Sequence, residues 1–328
     1  MIMVVLILAR IVAGHRHEAL VAKRRHFLSL LLGDGSEEEL AQLSQESPRL
    51  LGELSLELIQ LVRGEERDQF IATATRLGID AELRRRLIKG ATRTRITAAE
   101  VLGDFPDDHS AAALEAALDD RSPDVRLAAA LALAHSNRAP PVGLLVERLR
   151  LGTSERSLLI TSLLADIARE RQAEVRALID DPAVPPPVKA AAIEALGATG
   201  DYSLVPVVNA LALAADPSGE ELPRYLRVLG NFQHPAGTPA VTKYLASPTW
   251  YVRAAAAEAA GKICLYELSY KLLAMLDDGD WWVRFRAGEA LVRLGEPGRR
   301  LLGETARCGT ERARDAARLT LAEQGVPA

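Results

Sequence analysis

A period of about thirty-one residues constrains this chain more than any other feature of its sequence. Eight helix-like segments share a small-residue pattern that starts at Thr94, Val125, Glu155, Val188, Glu221, Val252, Val283 and Ala313, with spacings of 31, 30, 33, 33, 31, 31 and 30 residues. Four residues after each start stand Ala98, Ala129, Leu159, Ala192, Tyr225, Ala256, Ala287 and Ala317, and eight after it Leu102, Leu133, Leu163, Leu196, Leu229, Ala260, Leu291 and Leu321. Steps of zero, four and eight trace one stripe along a helix. Shorter apolar segments separate these helices: Ser110 to Leu118, Val142 to Leu149, Ala173 to Ile179, Leu204 to Leu211 and Leu268 to Leu276. Each repeat is therefore a helical hairpin, and a hairpin of this size buries its apolar faces only by stacking on its neighbours.

The residue after each start is basic in seven of eight repeats: Arg95, Arg126, Arg156, Lys189, Arg253, Arg284 and Arg314, with Leu222 as the departure. It sits in the first helical turn, where the helix dipole disfavours a cation, so its recurrence calls for an acidic or carbonyl partner. Acids in the turns just before these helices are the expected partners: Asp119 and Asp120, Asp180 and Asp181, Asp277 and Asp278. The column reads as an Arg–Asp ladder that fixes one repeat against the next. Gly103, Gly197, Gly230 and Gly261 follow the stripe where helix C-caps are expected. Ser122-Pro123, Ser247-Pro248 and Asp280 supply start signals for the second helices. Glu100, Glu194, Glu258 and Glu289 form a further column that reads as a solvated face, because Leu131, Thr161, Arg227 and Leu319 share it.

The segments LDDRSPDVRLAAALAL, PPPVKAAAIEALGATGD, SPTWYVRAAAAEAAG and DDGDWWVRFRAGEALVRLG resemble the short bacterial HEAT repeats of the phycobiliprotein-lyase type, from about residue 80 to the end. The resemblance implies an all-α fold, an α-α superhelix or HEAT-type solenoid of about eight helical hairpins spanning residues 61–328, behind an N-terminal apolar and amphipathic segment. It is specific for fold and not for activity. A basic segment ahead of such repeats is also similar to membrane-anchored bacterial HEAT proteins encoded beside glycosyltransferases, which implies a membrane glycosyltransferase-type partner. The repeat type brings two alternatives: an accessory or lyase-type protein acting on a tetrapyrrole-binding partner, and a nucleic-acid-binding HEAT-like protein. Deoxyhypusine hydroxylases, HEAT-like enzymes, carry His-Glu pairs on their helices, and the one such pair here is His17-Glu18, outside the repeats.

Residues 1–14 are a separate apolar segment. As a helix, the first 13 residues reach only ~20 Å, short of the ~30 Å hydrocarbon core of a bilayer. Arg16, Lys23, Arg24 and Arg25 come after the run rather than before it, the order of a membrane anchor with the following chain cytoplasmic. The expectation is the inner half of a transmembrane helix whose start lies upstream, followed by a basic and amphipathic helical region over residues 15–60. There Ser36 with Glu39 reads as a capping box and Ser47-Pro48 as a helix start. Localisation follows as cytoplasmic, at the inner face of the plasma membrane.

With 40 Lys and Arg against 44 Asp and Glu, the net charge of −4 provides no global basic field, so no nucleic-acid partner is expected. The two cysteines, Cys264 and Cys308, lie 44 residues apart, which excludes a disulfide framework and the usual zinc spacings. His15, His17 and His26 lack accompanying ligands at metal spacing, and no nucleophile triad or glycine-rich phosphate loop occurs. No metal, cofactor or catalytic activity is expected.

Of the fourteen aromatic residues, eight fall between residues 244 and 285, including all three tryptophans, so any aromatic recognition surface is local to that stretch. Trp250 and Trp281 each stand two residues before a repeat start, followed by Tyr251 and Trp282. Aromatic rings beside arginines are the usual makings of a binding hot spot. Trp250, Tyr251, Tyr270, Trp281, Trp282 and Phe285 are the candidate partner-binding residues, and a non-enzymatic protein-interaction scaffold is the expected function.

Overall fold

The computed structural model describes residues 64–151 and 158–325, together with Gln42. The apolar segment 1–14, the basic and amphipathic region 15–60 apart from Gln42, with its Ser36/Glu39 capping box and Ser47-Pro48 helix start, and the ladder residue Arg156 with its neighbour Glu155 lie outside the described residues. Among the described residues the structure is all-α, without strands. The chain divides into two compact units, the first ending at Arg150 and the second beginning at Leu151.

The first unit contains α1 (Glu65–Arg76), α2 (Ile79–Lys89), α3 (Thr92–Leu102), α4 (Asp108–Ala117), α5 (Pro123–His135) and α6 (Val142–Leu149). The second contains α7 (Leu158–Asp180), α8 (Pro186–Gly197), α9 (Leu204–Ala214), α10 (Glu221–Phe232), α11 (Thr238–Tyr244), α12 (Trp250–Ile263), α13 (Ser269–Ala274), α14 (Trp281–Arg293), α15 (Glu296–Cys308) and α16 (Glu311–Glu323). Within α7 the backbone breaks at Arg171, with φ −123° and ψ 47°, so this stretch is a second helix followed directly by the next repeat's first helix. The expected first helix over Leu268–Leu276 is instead one short α-turn, α13, between 3₁₀ turns at Tyr266–Leu268 and Met275–Asp277.

Sequence chemistry sets the helix starts. Asp107 accepts the Ser110 amide at 2.8 Å, Asp280 the Trp282 amide at 2.9 Å and Thr310 the Ala313 amide at 3.2 Å, each satisfying an amide that the first turn leaves open. Ser122 stands at the N-cap of α5 but makes no side-chain cap bond; α12 starts at Trp250 behind Thr249, so Ser247-Pro248 lies one step ahead of the helix. Most of the stripe is buried: Val125, Val188, Val252 and Val283, with Ala129, Ala192, Ala256 and Ala287, form the core between neighbouring second helices, whereas Thr94 and Leu159 are exposed.

Of the four expected C-cap glycines, Gly103 does stand at the C-cap of α3, but what the four share is close packing against the next second helix. None adopts a positive φ, and Gly230 and Gly261 lie inside their helices. A Cβ on Gly103 would meet Ala132 Cβ at 2.9 Å, one on Gly230 would meet Ala259 Cα at 2.9 Å, and one on Gly261 would meet Ala290 Cα at 2.6 Å. At these three crossings one second helix approaches the next until backbone faces backbone, and glycine stands there because a side chain does not fit. Gly197, facing Val228 at 3.2 Å, is the looser member of the set.

Candidate functional site

The basic column is held one repeat further along than the sequence suggested. Arg95, 3% exposed, donates from Nε and Nη2 to both carboxylate oxygens of Asp120 at 2.9 Å, and from Nη1 to Gly90 O. Arg253 does the same to Asp278, at 2.8 Å twice, with its Nη1 on Ser247 O and Pro248 O. In each case the aspartate lies 25 residues on, in the turn before the next second helix. Its Oδ1 also accepts the amide two residues later, from Ser122 or Asp280. The arginine of that next helix takes the aspartate's backbone oxygen: Arg126 with Asp120 O at 3.1 Å, Arg284 with Asp278 O at 2.8 Å.

Burial pushes the Asp120 and Asp278 carboxyls up. The guanidinium fork and the turn amides outweigh that cost and hold both below the usual value of 3.8. Among the described residues, the other ladder positions, Arg126, Lys189, Arg284 and Arg314, have no carboxylate partner. Lys189 joins no ion pair among the described residues, and Asp181 instead caps the Ala183 amide. The Nε atoms of Arg126 and Arg314 are buried without a hydrogen-bond partner.

A second ladder, on the first helices, was missed because its arginines fall outside the aligned stripe. Arg84 on α2 reaches Asp107 Oδ1 at 3.3 Å and Ser110 Oγ at 3.0 Å, while Arg176 in the latter half of α7 reaches Asp201 Oδ2 at 3.0 Å and Ser203 Oγ at 2.7 Å. The recurring Asp-x-Ser or Asp-x-x-Ser ahead of a first helix was the available signal.

Of the glutamate column, Glu100 is exposed as a solvated face requires, whereas Glu194, Glu258 and Glu289 pair with neighbouring cations. Glu194 is half-buried, receives a fork from Arg224 at 2.8 and 2.7 Å, and accepts the Thr161 hydroxyl at 3.1 Å, so it bridges α7, α8 and α10. Burial pushes its carboxyl up, and Arg224 with Thr161 brings it below the usual value. Glu258 pairs with Lys262 at 2.7 Å and Arg286 at 3.6 Å, and Arg286 continues to Glu289 at 2.7 Å.

The aromatic candidates separate into two clusters and an isolated residue. Trp281 stacks on Phe285, centroids 5.2 Å apart and planes 13° apart, and meets Trp282 edge-on at 4.8 Å. Trp250 meets Tyr251 edge-on at 5.7 Å, and the Tyr251 hydroxyl is committed to Ser218 O at 3.0 Å. Tyr270 is exposed and makes no ring contact among the described residues. Trp250, Trp281 and Trp282 remain close to half exposed although all three sit in the first turn of a well-packed helix. Beside Trp281 a cleft of about 170 Å³ opens between α14 and α16, lined by Arg284, Phe285, Arg312, Asp315, Ala316, Leu319 and Thr320.

Among the described residues no group of three His, Cys, Asp or Glu side chains is placed to hold a metal ion, and no helix is long and apolar enough to cross a membrane. The arrangement offers flat apolar faces with fixed charges beside them, which suits surface recognition.

A family model described as HEAT repeats matches residues 81–163 and 210–292. No curated protein matches the sequence. Among solved structures, a mutant of Kap121p is similar over 93% of this chain and 44% of its own, with 13% identity and a TM-score of 0.50. The karyopherin Kap121p bound to the SUMO protease Ulp1p is similar over 92% of this chain and 39% of its own, with 13% identity and a TM-score of 0.49. The chain therefore spans less than half the length of these structures, and at such identities the likeness is one of fold.

Proposed function

Because this chain belongs to the HEAT-repeat family, we propose that it is a non-enzymatic scaffold that binds a protein partner through the aromatic surface of residues 250–285. The observation that carries the reading is the exposure of Trp250, Trp281 and Trp282 at the starts of consecutive second helices, with a cleft of charged walls beside Trp281. Leaving large rings half in water gains the fold little, whereas a partner that covers them gains the burial of apolar area at ~25 cal/mol per Å².

A photo-crosslinking amino acid placed at Trp282, in the chain expressed at native level, tests this. The expected result is one specific protein adduct, absent when the same group replaces the exposed Ile88 in the first unit. Trp282→Ala should abolish capture of that protein with melting unchanged. Undiminished capture, or adducts indistinguishable from those at Ile88, would refute the surface.

The finer form of the proposal places the scaffold at the cytoplasmic face of a bacterial membrane through residues 1–14, with a glycosyltransferase-type membrane protein as partner. Its support is the apolar run followed by Arg16, Lys23, Arg24 and Arg25. Removing residues 1–14 should move the chain from the membrane to the soluble fraction, and an unchanged distribution would remove the tether.

A further inference from the structure

The arginine column leaves one guanidinium without a carboxylate at an open cleft. Arg95 and Arg253 hold Asp120 and Asp278 on their Nε and Nη2 atoms, while Nη1 is tied to carbonyls of the turn ahead of the helix. Arg284 has the same tether, with Nη1 on Asp278 O at 2.8 Å and Gly279 O at 3.1 Å. Its Nε and Nη2 meet no acceptor among the described residues, because the Asp278 carboxylate is taken by Arg253 and no acid stands in the turn ahead of α16. The position 25 residues on from Arg284 is Gly309. A Cβ there would meet Thr305 O at 2.8 Å, so that position has no room for an aspartate. Arg126 and Arg314 lack a carboxylate too, but their Nε atoms are buried. Arg284 instead lines the cleft between α14 and α16.

The charge of the cleft points the same way. From α16 the exposed Arg312 ties Nη1 to Asp277 O at 3.1 Å and joins no ion pair among the described residues. Asp315 is the one acid in the lining, so two cations face one anion and the cleft complements a single negative charge. Its apolar part is Trp281, stacked on Phe285, with the exposed Leu319. At about 170 Å³ the cleft is well below the ~300–1,000 Å³ of small-molecule sites and accommodates about one side chain.

These features choose among anions. A free small acid gains little from cations that stay in contact with water. A phosphate brings up to two negative charges against Asp315. A carboxylate is what the Nε and Nη2 atoms already hold in two other repeats. On a peptide it arrives with neighbouring side chains that cover the indole and Leu319.

We infer that the cleft beside Trp281 takes one Asp or Glu side chain from a segment of a partner protein that pairs acidic with apolar residues. The carboxylate meets Arg284 and Arg312, and an adjacent apolar side chain lies against Trp281 and Leu319. The inference deepens the docking reading above and rests on it.

The test selects a displayed library of random dodecapeptides on the full chain. The expected result is a shared Asp or Glu next to an apolar residue. In fluorescence anisotropy the selected peptide should bind about tenfold weaker when its acid is replaced by the amide. A similar loss is expected with Arg284→Lys, which keeps the charge and loses the fork. Asp315→Asn should tighten binding by about threefold. Arg312→Glu, at an exposed position in the first turn of α16, should abolish binding, and it stays decisive should Arg284→Lys fail to fold. An empty selection, selected peptides without a shared acid, equal binding of the acid and amide peptides, or indifference to Arg312→Glu would each overturn the inference. Tighter binding of a phosphoserine counterpart would do the same, by making phosphate the anion recognised. A specific adduct at Trp282 alongside any of these results would leave the scaffold reading standing and remove only the acidic ligand.

Discussion

Arg253 on α12 and Asp278, 25 residues further along, form a two-pronged bridge with both donor distances at 2.8 Å, and the same bridge joins Arg95 to Asp120 in the other unit. Each aspartate is held by the arginine of one repeat and caps the turn that starts the next. Arg253→Ala removes the fork and leaves a half-buried carboxylate, so a loss of about 1–3 kcal/mol is expected in urea unfolding. Lys189→Ala, at the same repeat position without an ion pair, should stay within about 0.5 kcal/mol. Equal losses for the two variants would show that the bridge adds nothing beyond side-chain packing.

The same carboxylates predict an acid dependence. Asp120, Asp278 and Glu194 titrate below their usual values in the folded chain because, despite the cost of burial, arginine and hydrogen-bond donors favour the charged form. The unfolded chain therefore takes up protons first as the pH falls. Their stabilisation is complete above the usual carboxylate range, about pH 5, and declines below about pH 4 through the folded values. Unfolding midpoints measured from pH 7 down to pH 3 should fall on this limb, and Asp278→Asn should flatten it while lowering the plateau at pH 7.

Glycines at the helix crossings should respond differently from glycines in open space. Gly261→Ala drives a methyl group against Ala290 Cα and should cost about 1–3 kcal/mol through overpacking, despite alanine's better helix propensity. Gly143 and Gly303 also lie within helices, yet nothing is within 4 Å of a Cβ built on either. Alanine there should stabilise by about 0.5–1 kcal/mol. Calorimetric melting of the three variants tests the contrast.

Glu194 links three helices, so its interactions should not be additive. Glu194→Gln should cost about 1–2 kcal/mol, since a charge-assisted fork becomes a neutral contact beside the half-buried Arg224. In a double-mutant cycle with Arg224→Ala the coupling should exceed that between Glu194 and the unconnected Lys189, and equal couplings would contradict the bridge.

The period, the buried stripe and the basic column were all legible in the sequence, because each repeats along one helix face and is read by counting. What one helix does to the next was less legible. Asp120 precedes Arg126 in the chain, yet its side chain goes to Arg95, since stacking brings the earlier repeat's arginine over the later repeat's turn. Gly261 looks like a cap by position and serves as a crossing by geometry. The glutamate column looked solvated because its neighbours in sequence are mixed, but Thr161 and Arg224 come from adjacent repeats to meet Glu194. Of the six aromatic candidates, Trp281, Trp282 and Phe285 meet as a cluster, whereas Tyr251 is tied down by Ser218 O and Tyr270 stands apart. Ring placement depends on backbone direction at the helix start, which spacing alone does not give.

The Arg253–Asp278 fork and the Gly230 and Gly261 crossings each fasten one repeat of the second unit to its successor, so these contacts are between nearest neighbours. A repeat gained or lost from an array wired in this way alters only the contacts at the splice, with no distant position obliged to change in step.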